Sequence, residues 1–86
     1  MINKNVILTN KSGLHARPAS IIVSQLKKFK SNIEISNGSK SCNAKSLTGL
    51  LTLGAHQGTK LTITADGIDE NEVIKELKNL IENEID

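Results

Sequence analysis

The chain has 86 residues, which is room for one domain with one hydrophobic core, and we expect a single domain over residues 1–86. It is 37% hydrophobic and 23% charged with a single proline, a composition typical of a folded protein. The net charge of +2 is spread over residues of both signs and Phe29 is the only aromatic residue, so we expect no nucleic-acid partner. No segment approaches the roughly 20 apolar residues of a membrane span. The single Cys42 excludes an internal disulfide, and together these features favour a cytoplasmic protein.

The first part of the chain predicts a strand followed by a helix. Ile2–Thr9 is rich in β-branched side chains, as strands are, and the loop-forming residues 10–13 end it. From Ala16 onward the apolar residues recur at helical spacing, at Ala19, Ile22, Val23 and Leu26. Pro18 fits the first turn of this helix, where a missing N–H costs nothing. Three lysines lie near its end, where cations oppose the helix dipole: Lys27, Lys28 and Lys30.

The middle of the chain predicts a hairpin and a short helix. The turn-forming pair Asn37-Gly38 separates Ile33–Ser36 from Lys40–Asn43, which indicates two antiparallel strands. Ser46–Leu53 has leucines at helical spacing and is followed by Gly54, a residue that commonly ends helices.

The last part predicts a strand and a helix. Lys60–Ala65 alternates between apolar and polar residues, as a half-buried strand does. Asp69 and Glu72 have the spacing of a capping box, and the helix they open carries inward-facing apolar residues at Val73, Leu77, Leu80 and Ile81. The order β-α-β-β-α-β-α predicts an α+β fold, in which a four-stranded antiparallel sheet has its helices packed on one face and Thr, Ser and Asn on the other.

The chemistry of the chain is concentrated around His15, at the junction between the first loop and the first helix. A helix start presents unpaired backbone N–H groups and a partial positive charge, and it binds anions readily. Arg17 adds a planar cation suited to phosphate oxygens, and Gly13 gives the approaching loop its freedom. These surroundings favour a neutral, nucleophilic imidazole and would stabilise a phosphoryl group on it. The alternative is that His15 caps the helix and Arg17 is merely solvated.

Three segments of the sequence together resemble a known family. Gly13-Leu14-His15-Ala16-Arg17-Pro18-Ala19 is similar to the phosphorylation-site signature of HPr, the histidine-containing phosphocarrier of the bacterial sugar phosphotransferase system. A second similar block runs from Lys45 to Ala55, and a third from Gly58 to Glu70. Their spacing agrees with the family as well, so the resemblance covers essentially the whole chain.

The resemblance implies an open-faced β-sandwich and a carrier that is not itself an enzyme. It implies that His15 takes a phosphoryl group from phosphorylated enzyme I and gives it to the enzyme IIA domains of sugar permeases, with Arg17 assisting. It implies no metal and no cofactor. The partner-binding surface would include four further residues: Ser20, Leu47, Thr48 and Leu51. A large apolar residue is expected where this chain has Thr48, which weakens the expected apolar contact there.

Ser46 has two interpretations. Serine is favoured as an N-cap for its hydroxyl alone. The resemblance adds that the matching serine is phosphorylated in many relatives by an HPr kinase/phosphorylase. Phosphate at Ser46 would place negative charge beside Leu47 and Leu51, and we expect it to slow transfer through His15 and to alter recognition by a catabolite-control transcriptional regulator.

Two alternatives remain at this point. One is a regulatory or nitrogen-branch HPr paralogue that acts mainly through protein–protein interaction, and the other is a small interaction domain without covalent chemistry. The sequence gives no sign of oligomerisation, and we expect a monomer.

His56 is expected to be a solvated loop residue, and Cys42 a small strand residue without an activating neighbour.

Overall fold

Seven segments form regular structure, in the order that the hydrophobic pattern predicts. The computed structural model describes residues 1–9, 11 and 13–83, so positions 10 and 12 of the predicted first loop lie outside the described residues. The elements are β1 (Ile2–Ile7), α1 (Ala16–Leu26), β2 (Asn32–Ser36), β3 (Ser41–Asn43), α2 (Leu47–Leu53), β4 (Lys60–Asp66) and α3 (Glu70–Glu82). The strands form one antiparallel sheet in the order β1-β4-β2-β3, which confirms the predicted α+β fold.

The alternation of side chains gives the sheet one apolar and one polar face. In the β1–β4 ladder Val6 lies opposite Leu61, and both are fully buried beneath the helices. The core is aliphatic, with α1 contributing Ala19, Ile22 and Leu26, and α3 contributing Val73, Leu77 and Ile81. On the other face, the Thr62 and Thr64 hydroxyls donate to the side-chain oxygens of Asn5 and Asn3, at 2.9 and 2.8 Å. The polar face is thus held by bonds between neighbouring strands, as the predicted Thr and Asn content suggested.

Some element boundaries differ from the predicted ones by one or two residues. β1 ends at Ile7, and beyond it the Thr9 hydroxyl donates to the carbonyl oxygens of Ile81 and Glu82 at the end of α3. Lys40 belongs to the hairpin turn, since its carbonyl accepts the N–H of Asn37 at 3.0 Å. α1 ends at Leu26 with Lys27 as its C-cap, so the lysine cluster lies near the end of the helix as predicted.

The capping box predicted for α3 is wrong. Asp69 does hold the N-cap position, but its side chain makes no capping bond. Its carboxylate instead accepts the backbone N–H groups of Lys30 (2.8 Å) and Ser31 (3.0 Å) and the Ser31 hydroxyl. These bonds lower the pKa of Asp69, with the Ser31 hydroxyl as the largest cause, and they tie the start of α3 to the segment before β2. Leu80, predicted to face inward, is only partly buried.

The helices are too short or too polar to serve as membrane spans within the part of the chain that the structure describes.

Candidate functional site

His15 occupies the N-cap of α1 with its ring open to solvent. Its backbone is extended (φ −107°, ψ −168°), and its carbonyl oxygen accepts the N–H of Ala19 at 3.0 Å, which is the first bond of the helix. The imidazole makes no capping hydrogen bond, and the residue is exposed. The backbone of His15 therefore starts the helix, while the ring is left available for chemistry.

The first turn of α1 offers donors beside that ring. The N–H groups of Ala16 and Arg17 precede the point at which helical N–H groups find acceptors within the helix, and Pro18 has no N–H to contribute. The Arg17 side chain, on the second of these two residues, is exposed. Two backbone donors, the positive end of the helix dipole and a guanidinium thus lie within three residues of one another, an arrangement suited to holding a phosphoryl group.

The loop that delivers His15 is held against the segment after α2. The Leu14 N–H donates to the Ala55 carbonyl oxygen at 3.0 Å, and both residues are buried. Gly13 has φ +71°, and a Cβ there would lie 2.6 Å from the Ala55 oxygen and 2.9 Å from the Cα of His56. Only glycine allows this close approach, so position 13 is fixed by packing as well as by its backbone angles.

The turn at residues 54–59 also holds the other end of the same loop. The Leu8 N–H donates to the Thr59 oxygen at 3.0 Å, and the Gly58 N–H donates to the Leu8 oxygen at 2.8 Å. The side-chain amide of Gln57 donates to the Thr9 oxygen at 3.2 Å. The chain is therefore fixed by the 54–59 turn both where it leaves β1 and where it enters α1. Sequence reasoning missed this bracing, for which the glycines at positions 54 and 58 were the available signal.

Helices α1 and α2 pack against each other, and the hydrogen bonds near their two ends indicate an antiparallel arrangement. The Leu14–Ala55 bond joins the start of α1 to the end of α2, and the Lys45 ammonium donates to the Phe29 oxygen at 2.6 Å near the opposite ends. α2 has seven residues, so Ser46 lies about 10 Å along the helix from the end that contacts the His15 loop. The structure thus separates the two predicted phosphorylation sites along one pair of helices.

The predicted partner-binding residues lie on the exposed sides of these two helices. Leu47 and Leu51 are 42% and 41% exposed, and Thr48 is exposed between them. Ser20 is exposed on α1, just beyond the turn that carries His15 and Arg17. Leu50 is fully buried, so α2 divides its leucines between the core and the surface.

Ser46 is the N-cap of α2 and acts as one. Its hydroxyl oxygen accepts the Gly49 N–H at 3.1 Å. A Cβ at Gly49 would lie 2.9 Å from the Cβ of Cys42 and 3.3 Å from the Ser46 oxygen, so the helix start fits closely over β3. Burial raises the pKa of the Cys42 thiol, and the nearby Glu34 carboxylate adds to the effect.

His56 is exposed in the 54–59 turn. Its Nδ1 lies 3.0 Å from the Thr59 hydroxyl oxygen, which also accepts the backbone N–H of His56 at 3.1 Å. The residues that the structure describes contain no cluster of three side chains able to hold a metal ion.

Comparisons with known proteins agree with this geometry. A family model described as the PTS HPr component phosphorylation site matches residues 2–83. The phosphocarrier protein HPr of Haemophilus influenzae is 47% identical over 81 residues, which cover 94% of this chain and 95% of that protein. The crystal structure of HPr from Thermoanaerobacter tengcongensis superposes with a TM-score of 0.89 at 43% identity, covering 94% of this chain and 91% of that one. Crh, a catabolite repression protein of Bacillus subtilis, superposes with a TM-score of 0.76 at 36% identity, covering 94% and 93%.

The family model and the curated relatives, together with this fold, therefore define the class as a phosphocarrier protein. The chain belongs to the HPr family of the phosphotransferase system. The Crh structure is a dimer with a swapped domain. A protein with this fold is therefore not always a monomer, and the fold alone does not support the expectation of one.

Proposed function

We propose that His15 accepts a phosphoryl group from phosphorylated enzyme I and passes it to the enzyme IIA domains of sugar permeases. The observation that carries this proposal is the exposed imidazole of His15, which starts α1 without spending its ring on the cap. A second support is the match of the surrounding residues to a phosphorylation-site family.

The proposed transfer is a displacement at phosphorus. The lone pair of His15 Nδ1 forms a bond to the phosphorus while the bond between that phosphorus and the donor atom of enzyme I breaks. The electron pair of the broken bond returns to that donor atom. The N–H groups at the start of α1 and the Arg17 guanidinium stabilise the phosphoryl oxygens in the transition state. Delivery to an enzyme IIA domain is the same step with the roles exchanged.

The experiment is phosphorylation of the pure protein by enzyme I and phosphoenolpyruvate, read by intact mass. We expect one phosphoryl group that is acid-labile and base-stable, as expected of a phosphohistidine, and none in His15→Ala. His56→Ala is the matched control, because it removes the chain's other histidine and should leave labelling intact. Labelling that survives in His15→Ala but disappears in His56→Ala would place the phosphoryl group on His56 and refute the proposal.

Arg17 and the exposed leucines are proposed to serve the same reaction in different ways. Arg17→Lys keeps the charge but loses the planar pair of donors, so it should lower the maximal transfer rate. Leu51→Ala removes apolar area from the proposed partner-binding surface formed by Ser20, Leu47, Thr48 and Leu51. The KM of enzyme I for this protein should therefore rise, while the maximal rate of transfer stays nearly unchanged.

Ser46 is proposed as a regulatory site for an HPr kinase/phosphorylase. Its hydroxyl lies at the start of α2 next to the exposed Leu47, so a phosphate there would add about −1.5 to −2 charges to the edge of the partner-binding surface. With about 10 Å of helix between Ser46 and the His15 end, we expect the phosphate to act on docking and on recognition by a catabolite-control regulator. Incubation with the kinase and ATP should label the native chain and not Ser46→Ala.

The same enzyme I experiment separates the carrier from its alternative, a regulatory or nitrogen-branch paralogue that acts by protein–protein interaction. Failure to label, in a tube where another HPr is labelled, would favour the paralogue. We further propose that the protein works in the cytoplasm as a monomer. Light scattering during size-exclusion chromatography tests the second point, and a stable dimer peak would refute it.

A further inference from the structure

The side chain of Asn37, in the turn between β2 and β3, reaches across to the end of α2. Its Nδ2 donates to the carbonyl oxygen of Leu53 at 2.9 Å. Its Oδ1 accepts the backbone N–H groups of Ser39 (2.9 Å) and Lys40 (2.8 Å). Because the two N–H donors fix which end of the amide is oxygen, the other end must be the donor that faces Leu53.

The bond to Leu53 is not needed to make the hairpin turn. The turn is closed by the N–H of Asn37, which donates to the Lys40 oxygen at 3.0 Å, and by the two bonds to Oδ1. Gly38, with φ +98°, supplies the left-handed residue such turns require. The Nδ2 group therefore does not shape the hairpin. It binds the last residue of α2.

From Leu53 the covalent chain leads directly to the His15 loop. Leu53 is buried, Gly54 ends α2 in the left-handed conformation (φ +67°), and the carbonyl of Ala55 then accepts the Leu14 N–H at 3.0 Å. Gly54 ends α2, and the Asn37 amide adds a side-chain bond to the last carbonyl of the helix, two residues before Ala55. A shift of the α2 end would therefore be passed through Ala55 to Leu14, the residue that precedes His15.

We propose that Asn37 is a positioning residue for the phosphoryl-carrying histidine, acting through Leu53 and Ala55. The inference rests on the proposed function of His15 and adds a residue that lies in a different part of the fold. It predicts that loss of the Nδ2 donor slows the transfer step at saturating enzyme I, because the ring and the N–H groups at the start of α1 lose their alignment. Docking depends on the exposed leucines and should change little.

The substitution Asn37→Asp tests this with little other change. The carboxylate keeps an acceptor for Ser39 and Lys40, but it removes the donor and places a negative charge against the Leu53 oxygen. The matched control is Asn43→Asp, near the opposite end of α2. The Asn43 side chain accepts the Lys45 N–H at 2.8 Å through Oδ1, and this bond survives the same change of charge. Asn37→Ser is the uncharged second variant, since its hydroxyl can accept from the turn but is too short to reach Leu53.

We expect both Asn37 variants to lower the maximal rate of phosphoryl transfer from enzyme I by roughly three- to tenfold, with KM within about twofold of the native value. Amide hydrogen exchange at Leu14 should be faster in the same variants at a temperature where each is folded. Asn43→Asp should match the native protein in both measurements.

The inference would be overturned if Asn37→Ser, Asn43→Asp and the native chain had equal maximal rates. It would also be overturned if the Asn37 variants only raised the KM and left the maximal rate unchanged. Failure of the native chain to be labelled at all would instead refute the proposed function, so the two failures are distinguishable.

Discussion

Replacement of Gly13 by alanine is the most direct test of how the His15 loop is held. A Cβ at this position would lie 2.6 Å from the Ala55 oxygen and 2.9 Å from the His56 Cα, and both of these are backbone atoms that cannot rotate away. The backbone angle of φ +71° adds a second cost, about 1–2 kcal/mol for a residue with a side chain. Displacing Ala55 also weakens its bond to Leu14, which is worth about 1 kcal/mol. The free energy of unfolding should therefore fall by roughly 2–4 kcal/mol.

Gly58→Ala is the matched control in the adjoining turn. Gly58 has φ +89°, so alanine there meets comparable backbone strain, but a Cβ would have no heavy atom within 4 Å. The difference between the two variants therefore isolates the steric contact with Ala55 and His56.

Thermal unfolding followed by circular dichroism measures both variants. For a domain of this size about 1 kcal/mol corresponds to a Tm change of about 4–8 °C, so Gly13→Ala should lower Tm by at least about 8 °C and clearly more than Gly58→Ala. If Gly58→Ala were as destabilising as Gly13→Ala, the packing of the loop against residue 55 would not be what demands glycine.

Three further predictions follow from individual side chains. Because the folded-state pKa of Asp69 is lowered, its carboxylate stabilises the fold at neutral pH and loses that effect as the pH falls through the folded-state value. The difference in urea stability between the native chain and Asp69→Asn should thus shrink as the pH is lowered below 3.8, and a constant difference would contradict this account. Burial raises the pKa of Cys42, so a disulfide reagent at pH 7 should react with it more slowly than with free cysteine and should speed up in urea; equal rates with and without urea would argue against a protected thiol. Ser46→Ala should lose about 1 kcal/mol of stability with its cap to Gly49. Ser46→Asp should keep the cap and raise the KM for transfer from enzyme I, so an unchanged KM in Ser46→Asp would count against the regulatory role.

The parts of the fold that the sequence predicts are those with a local cause. α1 begins at Ala16 as predicted, because the spacing of its apolar residues and the tolerance of Pro18 in the first turn depend on neighbours in sequence. Ser46 and Gly54 bound α2 for the same reason, as a side-chain cap and a left-handed residue.

The parts that sequence reasoning missed are polar contacts between distant segments. Asp69 and Glu72 fit a capping box, yet the Asp69 carboxylate bonds residues 30 and 31, because tertiary packing brings two backbone N–H groups and a hydroxyl to it. Asn37-Gly38 indicated a turn correctly, but nothing in the pattern showed that the asparagine also bonds Leu53. Such contacts have no periodicity, and their distance along the chain hides them from pattern analysis.

The bond between Leu14 and Ala55 also determines how much of the chain must be folded before the His15 site can form. The segment that carries His15 is synthesised early, but the turn that fixes it comes after α2, and Ile2 of the first strand pairs with Ala65 of the last. Contacts between such distant residues form late in folding, because long loops must close first. A nascent or truncated chain that stops before the 54–59 turn would contain the whole histidine motif and still lack a formed site. Formation of the His15 site is thus a property of the completed fold and not of the histidine motif alone.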